Sequence, residues 1–513
     1  MIKRIILLTV MSWPIFPSAA FVLPQQKEPV SATPSKNDAK PLVIGTSFGR
    51  EMNGGEIHTY RISIISGQYL RVVVDQQGID VAVSLIDPSG QRILEVDNPN
   101  GNKGPESLST IVETTGEYLL EVRSPNKTAK AGRYEINPEA LRTPTESDRN
   151  RVAAEGKFRE ARKLGQQQAA ASRRQAIEKY EEALPVFRAL GDRAMEAMTL
   201  HLAGFLSHSF GDLKKAMSYY NQTLSISRAI GDTTREALML NNLGAVYDVM
   251  GEMPQAISHY DQALSLWKKL DLKDQQGNTL NNIGLVYFNL GELQKALEFY
   301  NLALPLRRAG TNRRFEADTL DNLGHLYIVL GDQQQALEFL RQSLELRRGA
   351  KDTRGEANTL QKIGFAYAAS GDFVNARQYN NQALPLWKSI ADVMGESGSL
   401  RAIGITFIST GNNGKALEYL QQALQLQISI QAQREQALTF GNLGDVYASS
   451  GQPQKAMECY TQSLTLFRAV DDKRGQATAF QGQARVERDL GNFAEARKRI
   501  ESAITAVEDV RGH

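Results

Sequence analysis

From residue 151 onward, apolar positions recur at the spacing of one face of a helix. Leu240, Leu243, Gly244 and Tyr247 fall at i, i+3, i+4 and i+7, one stripe of a 3.6-residue turn. Ala256, Tyr260, Ala263 and Leu264 form a matching stripe beyond Gly251. The pattern therefore predicts paired helices, A then B. It also repeats: Gly204, Gly244, Gly284, Gly324, Gly364, Gly404 and Gly444 stand 40 residues apart, with Ala484 next in line. A second ladder runs from Gly211 to Gly491 and a third from Ala216 to Ala496 at the same interval. Three ladders in phase are the signature of a repeat array, whose units bury their stripes only by stacking on neighbours. The ladder glycine leaves room for helix B to approach, and Gly251 ends helix A in a left-handed cap. Pro254 and Pro453 fall near the start of helix B, where a missing N–H is harmless. Thr233 with Glu236, and Thr353 with Glu356, have the spacing of capping boxes.

Before residue 138 the period is two rather than 3.6. Tyr60-Arg61-Ile62-Ser63-Ile64, Tyr69 to Val74, Val81 to Ile86, Gln91 to Val96, Gly116 to Val122 and Gly132 to Ile136 alternate between turn clusters such as Asp87-Pro88-Ser89-Gly90. About seven short strands are predicted between residues 41 and 137, packed as a small antiparallel sandwich. The fold class is thus mainly α, an α-solenoid preceded by a small antiparallel β-sandwich. Its parts are a signal peptide at 1–20, a flexible leader at 21–40, the sandwich at 41–137 and a linker at 138–150. An irregular first helix pair at 151–191 and eight 40-residue units at 192–511 complete it.

The signal-peptide reading rests on Lys3 and Arg4, the apolar run Ile5 to Phe16, and small residues at Ser18 and Ala20. An uncleaved anchor is the competing reading, but the run falls short of the ~20 residues that span a bilayer and contains Pro14. The expected location is periplasmic or extracellular, with no integral membrane segment once the signal is cleaved.

Composition removes several classes of function. Fifty-nine Lys and Arg against 57 Asp and Glu leave a formal charge of +2, so no nucleic-acid partner is expected. Cys459 is the single cysteine, and the six histidines form no local ligand spacing, so neither metal nor cofactor is expected. Cys459 occupies the helix B position of His259 and Phe299, which makes it a structural residue. His325 faces the expected groove without a companion base. No phosphate loop, dinucleotide fingerprint or nucleophile elbow is present, and the chain is not expected to be an enzyme. Asp97-Asn98-Pro99-Asn100-Gly101-Asn102 crowds oxygen ligands, but Leu108 stands where a calcium loop needs its twelfth-position carboxylate. The alternative for this segment is an Asx-rich turn.

The unit Asn242-Leu243-Gly244-Ala245-Val246-Tyr247, followed by Gly251, Ala256, Tyr260 and Ala263-Leu264, resembles the tetratricopeptide repeat, in its longer kinesin-light-chain-like form. The stretches Gly55 to Tyr60, Asp87 to Gly90 and Gly116 to Val122 resemble the bacterial pre-peptidase C-terminal domain, a non-catalytic module that implies contact with an envelope polymer or a neighbouring domain. Exported arrays of this kind often continue into a caspase-like CHAT peptidase domain, whose His and Cys regions have no match here.

The repeat resemblance implies a concave groove lined by helix A. Three and two positions before the ladder glycine stand Asn241, Asn281, Asp321, Gln361 and Arg401, and Asn242, Asn282, Asn322 and Asn442. After it come Ala245, Leu285, His325, Phe365, Ile405 and Asp445, then Asp248, Phe288, Ile328, Ala368, Ile408 and Ala448. Amides flanked by apolar side chains can pair with a peptide backbone while selecting its side chains. The alternative is that the Asn242 row tightens contacts within the repeat. The expected function is an exported scaffold, monomeric or weakly associated, that binds a protein or peptide in this groove. The alternative is the sensor portion of a CHAT peptidase system whose catalytic domain lies elsewhere.

Overall fold

The computed structural model describes residues 39–511 apart from 99–102, 168 and 311. The expected signal peptide and nearly all of the leader lie outside these residues, as do four residues of the Asp97–Asn102 segment. The chain divides into two compact units at Val246/Tyr247, and each is described by itself.

The first unit opens with nine strands: β1 (Lys40–Pro41), β2 (Phe48–Met52), β3 (Ile57–Ile64), β4 (Tyr69–Gln77), β5 (Ala82–Ile86), β6 (Arg92–Val96), β7 (Lys103–Ile111), β8 (Gly116–Arg123) and β9 (Gly132–Arg142). They form two sheets, in the orders β1-β3-β8-β5-β6 and β2-β9-β4-β7, antiparallel except where β1 runs parallel to β3. Period two sets the burial: Tyr60, Ile62 and Ile64 of β3 and Leu70, Val72 and Val74 of β4 point into one shared apolar cluster. Two of the motif pieces meet here, because a Cβ on Gly116 would lie 2.5 Å from Pro88 Cγ.

The segment expected as a linker is strand and helix. Strand β9 runs to Arg142, and α1 (Glu146–Gly165) begins after a Thr145 cap, with Thr145 and Asp148 completing a capping box. With α2 (Ala170–Ala189) it makes a regular helix pair starting five residues before the expected Arg151. The strands hold α1 through polar contacts: Arg142 donates to Asp148 Oδ2 at 2.5 Å, Arg162 to the Asp97 carbonyl at 2.5 Å, and Ser109 to Glu155 Oε1 at 3.1 Å. Arg71 and Arg151 approach the same oxygen at 3.7 and 4.0 Å.

Glu155 is only 3 % exposed, and its second oxygen has no hydrogen-bond partner. Burial raises its pKa to about 7, against the pull of Arg71 and the neighbouring arginines. A carboxyl raised on folding favours the folded state fully below its unfolded value, and that advantage disappears as pH climbs to the folded one. Stability of this unit is therefore expected to fall between about pH 4.5 and 7 and to level off above. Glu155→Gln should remove that slope and add on the order of 3 kcal/mol at pH 8, read by hydrogen exchange across β7 and α1. A wild-type protein without the slope would show Glu155 to be solvated.

The first unit continues with α3 (Arg193–Ser209), α4 (Leu213–Ile230) and α5 (Thr233–Val249), inside which the division falls. The second holds α6 (Met253–Lys269), α7 (Lys273–Asn289), α8 (Leu293–Ala309), α9 (Arg313–Leu330), α10 (Gln333–Gly349), α11 (Thr353–Ala369), α12 (Phe373–Ser389), α13 (Val393–Ser409), α14 (Asn413–Ser429), α15 (Gln433–Ser449), α16 (Pro453–Ala469), α17 (Lys473–Asp489) and α18 (Phe493–Arg511). The sequence ladders account for this order. A Cβ on Gly284 would sit 2.7 Å from the Tyr300 ring, and one on Gly444 equally close to Tyr460. The A-helix aromatics stack on helix B, Tyr287 on Phe299 and Tyr327 on Phe339 with centroids 5.3 and 5.5 Å apart. Gly251 and its equivalents have φ between 68° and 86°.

The caps differ from those expected. Asp352, not Thr353, caps α11 by accepting from the Gly355 N–H, and Asp232 accepts from Arg235 N–H at the start of α5. Glu236 and Glu356 instead take Arg228 and Arg348 of the preceding helix, at 2.8 and 2.7 Å. On α18, Phe493, Ile500, Ile504 and Val507 remain exposed, whereas Tyr460, Leu464 and Phe467, which hold the places of the last three on α16, are buried.

Candidate functional site: the face of the A helices

Successive A helices of the second unit touch one another, so their outward-turned side chains form a continuous surface. The ring of Phe288 on α7 lies 5.0 Å from that of His325 on α9, which joins the position four after one ladder glycine to the position one after the next. The same relation places Ile328 beside Phe365, Ala368 beside Ile405 and Ile408 beside Asp445. Phe288, His325, Phe365 and Ile405 are part-exposed, while Leu285 and Ile328 are buried. Burial, reinforced by Lys362, lowers the His325 pKa to about 3, so its imidazole is neutral and able to accept or donate one hydrogen bond. Asp445 is held by Arg485 at 2.6 Å and by the Tyr460 hydroxyl at 2.8 Å.

The amide row is not the open ladder that the sequence suggested. Asn281, Asn282, Asp321, Asn322 and Gln361 are all buried, as Asn241 and Asn242 are in the first unit. Much of the row joins one repeat to the next. Asn322 Nδ2 donates to Asn281 Oδ1 at 3.0 Å. Gln361 Nε2 donates to Ser399 Oγ at 2.6 Å and to the Gly395 carbonyl at 3.1 Å. Asp321 accepts from the Thr359 hydroxyl at 2.9 Å and from Arg347 at 3.2 Å. A side chain three residues before the glycine points toward the next A helix, and these helices are near enough to capture it. Asp248 is also buried, and desolvation raises its carboxyl pKa to about 6. Arg401 and Asn442 are part-exposed.

Sequence reasoning missed Arg347. It stands in the register of Trp267, Trp387 and Phe467 and serves Asp318, Asp321 and Asp352 together. A charge in an apolar register, with two aspartates one helix back, was the available signal. Cys459 is half-buried, and burial moves its thiol up to about 11, which leaves it protonated and unreactive. Among the described residues, no group of three or more acidic, His or Cys side chains is arranged to hold a metal, and no helix is long and apolar enough to cross a membrane.

The sequence signature of the tetratricopeptide repeat matches residues 235–309, 275–349, 355–429 and 435–509, just over half of the chain. The chain belongs to the tetratricopeptide repeat family. A search of curated proteins found no match. Among solved structures, the fold is similar to a Rap protein complexed with Competence and Sporulation Factor, at 13 % identity and TM-score 0.50, covering 71 % of this chain and 99 % of that one. It is similar also to the apo quorum sensor NprR from B. thuringiensis, at 14 % identity and TM-score 0.50, covering 71 % and 100 %. A signal transduction ATPase with a tetratricopeptide repeat sensor from Pyrococcus horikoshii matches at 15 % identity and TM-score 0.50, covering 70 % of this chain and 54 % of that one. At these identities the likeness is one of fold. Tetratricopeptide arrays serve as interaction scaffolds, and this chain is one.

Proposed function

We propose that the protein is exported and binds an extended peptide, or such a segment of a protein, along the A-helix face of its second unit, without catalysing a reaction. The observation that carries this reading is the line of part-exposed apolar and aromatic side chains, joined across helices by the Phe288–His325 contact and continued by Phe365 and Ile405. Apolar pockets at a fixed interval select side chains of an extended ligand, while neutral polar groups such as His325 pair with its backbone. The complex named for the Rap protein is in keeping with this. Export rests on the charged, apolar and small-residue order of the first 20 residues.

The test is selection of a random-peptide display library on the full chain and on a Phe365→Ala, Ile405→Ala variant. The wild type should enrich a family of peptides with apolar residues at regular spacing, and the variant should bind them at least tenfold more weakly with its circular dichroism unchanged. Equal binding by both proteins would move the site off this face. A second reading is favoured by the exposed stripe on α18, which offers the face that α17 covers on α16: another chain's helix, such as that of a CHAT peptidase, would cover it. Recovery of such a peptidase from the envelope, lost on Ile504→Asp, would carry that reading.

A further inference from the structure

Arg401 breaks the rule that governs its row. Asp321 is tied to Thr359 and Gln361 to Ser399, in each case the residue 38 positions on. For Arg401 that residue is Thr439, whose hydroxyl is donated to Gln427 Oε1 at 2.8 Å. The other inter-repeat bond, Asn281 with Asn322, spans 41 positions, and its equivalent, Arg401 with Asn442, is not made: Asn442 Oδ1 has no partner. Between these two lies Gly441, where a Cβ would meet only Ser463 Oγ at 3.7 Å, so the place filled by an amide in other repeats is open beside the guanidinium.

Other charged groups on this face and behind it are answered. Asp321 has Arg347 and Thr359, Asp445 has Arg485 and Tyr460, and Arg307 donates to Asn278 at 2.8 Å. Arg401 has neither a hydrogen bond nor an ion pair among the described residues. Glu435 acts on it through space, Arg434 opposes that, and burial leaves it with a pKa of about 10, so it is a cation at neutral pH. A guanidinium withdrawn from water without an acceptor is costly, and its planar fork matches a carboxylate in a two-point contact.

We infer that Arg401, beside the opening at Gly441, is the point at which this face receives a carboxylate of the bound peptide, flanked by the apolar positions Phe365 and Ile405. The inference rests on the peptide-binding reading above. It gives the ligand polarity and register: one acidic group at a fixed distance from the apolar anchors.

The test uses the full chain and the random-peptide library, displayed with free and with amidated C-termini. Peptides selected by the wild type should carry Asp or Glu at one constant register from their apolar residues. If the group is instead the terminal carboxylate, amidation should abolish their recovery. Replacing the acid by its amide should weaken binding to the wild type at least tenfold and leave binding to Arg401→Met unchanged, while Arg401→Lys should keep part of the preference. The Met variant removes an unpaired charge and should melt no lower than the wild type, which keeps folding out of the comparison. Peptides without acidic preference and insensitive to amidation, or an acidic preference intact in Arg401→Met, would overturn the assignment even where Phe365→Ala, Ile405→Ala still abolishes binding. A library that yields no peptide at all would overturn both this assignment and the reading beneath it.

Discussion

Arg347→Met should cost about 3–5 kcal/mol, the range found when one partner of a buried ion pair is removed. Arg347 is 6 % exposed and donates to Asp352 Oδ2 at 2.7 Å, to Asp321 Oδ2 at 3.2 Å and to Asp318. Burial alone would lower its pKa, yet the three carboxylates more than reverse that and raise it. Without the guanidinium they face one another across α9, α10 and the start of α11, and Asp321 keeps only the Thr359 hydroxyl and the more distant Lys362, at 4.0 Å. Denaturant titration followed by hydrogen exchange should place the loss in those three helices. Arg347→Met combined with Asp321→Leu should recover part of it, because two charges then leave the interior together. A loss below about 1 kcal/mol would show the cluster to be screened like a surface pair.

Gly395→Val should destabilise by about 3 kcal/mol, the upper part of the range for overpacking a filled core. A Cβ on Gly395 would lie 2.3 to 2.6 Å from three atoms of the Trp387 indole, which is 5 % exposed and packed with Leu360, Ile363 and Ala383. The ring has nowhere to go, so α13 must lift from α12, straining the Gln361 bond to the Gly395 carbonyl. Gly414 provides the contrast: nothing lies within 4 Å of its Cβ, and Gly414→Ala should gain roughly 0.5 kcal/mol from helix propensity. Thermal melts of the two variants and of Gly395→Val with Trp387→Leu would decide the matter. A neutral Gly395→Val would mean the helix pair can part without cost.

The repeat was legible because its requirements are steric and local. A glycine facing Tyr300 or Tyr460 and a glycine with positive φ after each A helix admit few substitutes, so the same residue recurs every 40 positions. The strands were legible for the same reason, since one-sided burial enforces alternation. The junction between β9 and α1 was not. Pro138 looked like a breaker, but it lies beyond the last β9 residue paired with β2 and at a register shift against β4, where a strand loses little by lacking an N–H. The amide row misled for a different reason. Helical periodicity assigns a residue to a face but says nothing of how near the next A helix stands, and that distance decides whether Asn281 meets a ligand or Asn322. The part-exposed positions Phe288, His325, Phe365 and Ile405 were correctly placed on the A-helix face by spacing alone. Arg347 was hidden because its partners lie on neighbouring helices, 26 and 29 residues away.

The polar ties also set mechanical compliance. From α9 to α13 each A helix is stapled to the next by a directional bond, Asp321 to Thr359 and Gln361 to Ser399, and such bonds resist sliding and twist because they weaken steeply with misalignment. Between α13 and α15 the staple is missing and the contact is apolar, which tolerates small rotations at nearly constant energy. Elastic strain applied to the stack therefore concentrates at one joint, and Arg401 sits on it. A ligand seated there would stiffen the softest link in the chain of repeats, turning occupancy into a change of curvature felt at both ends.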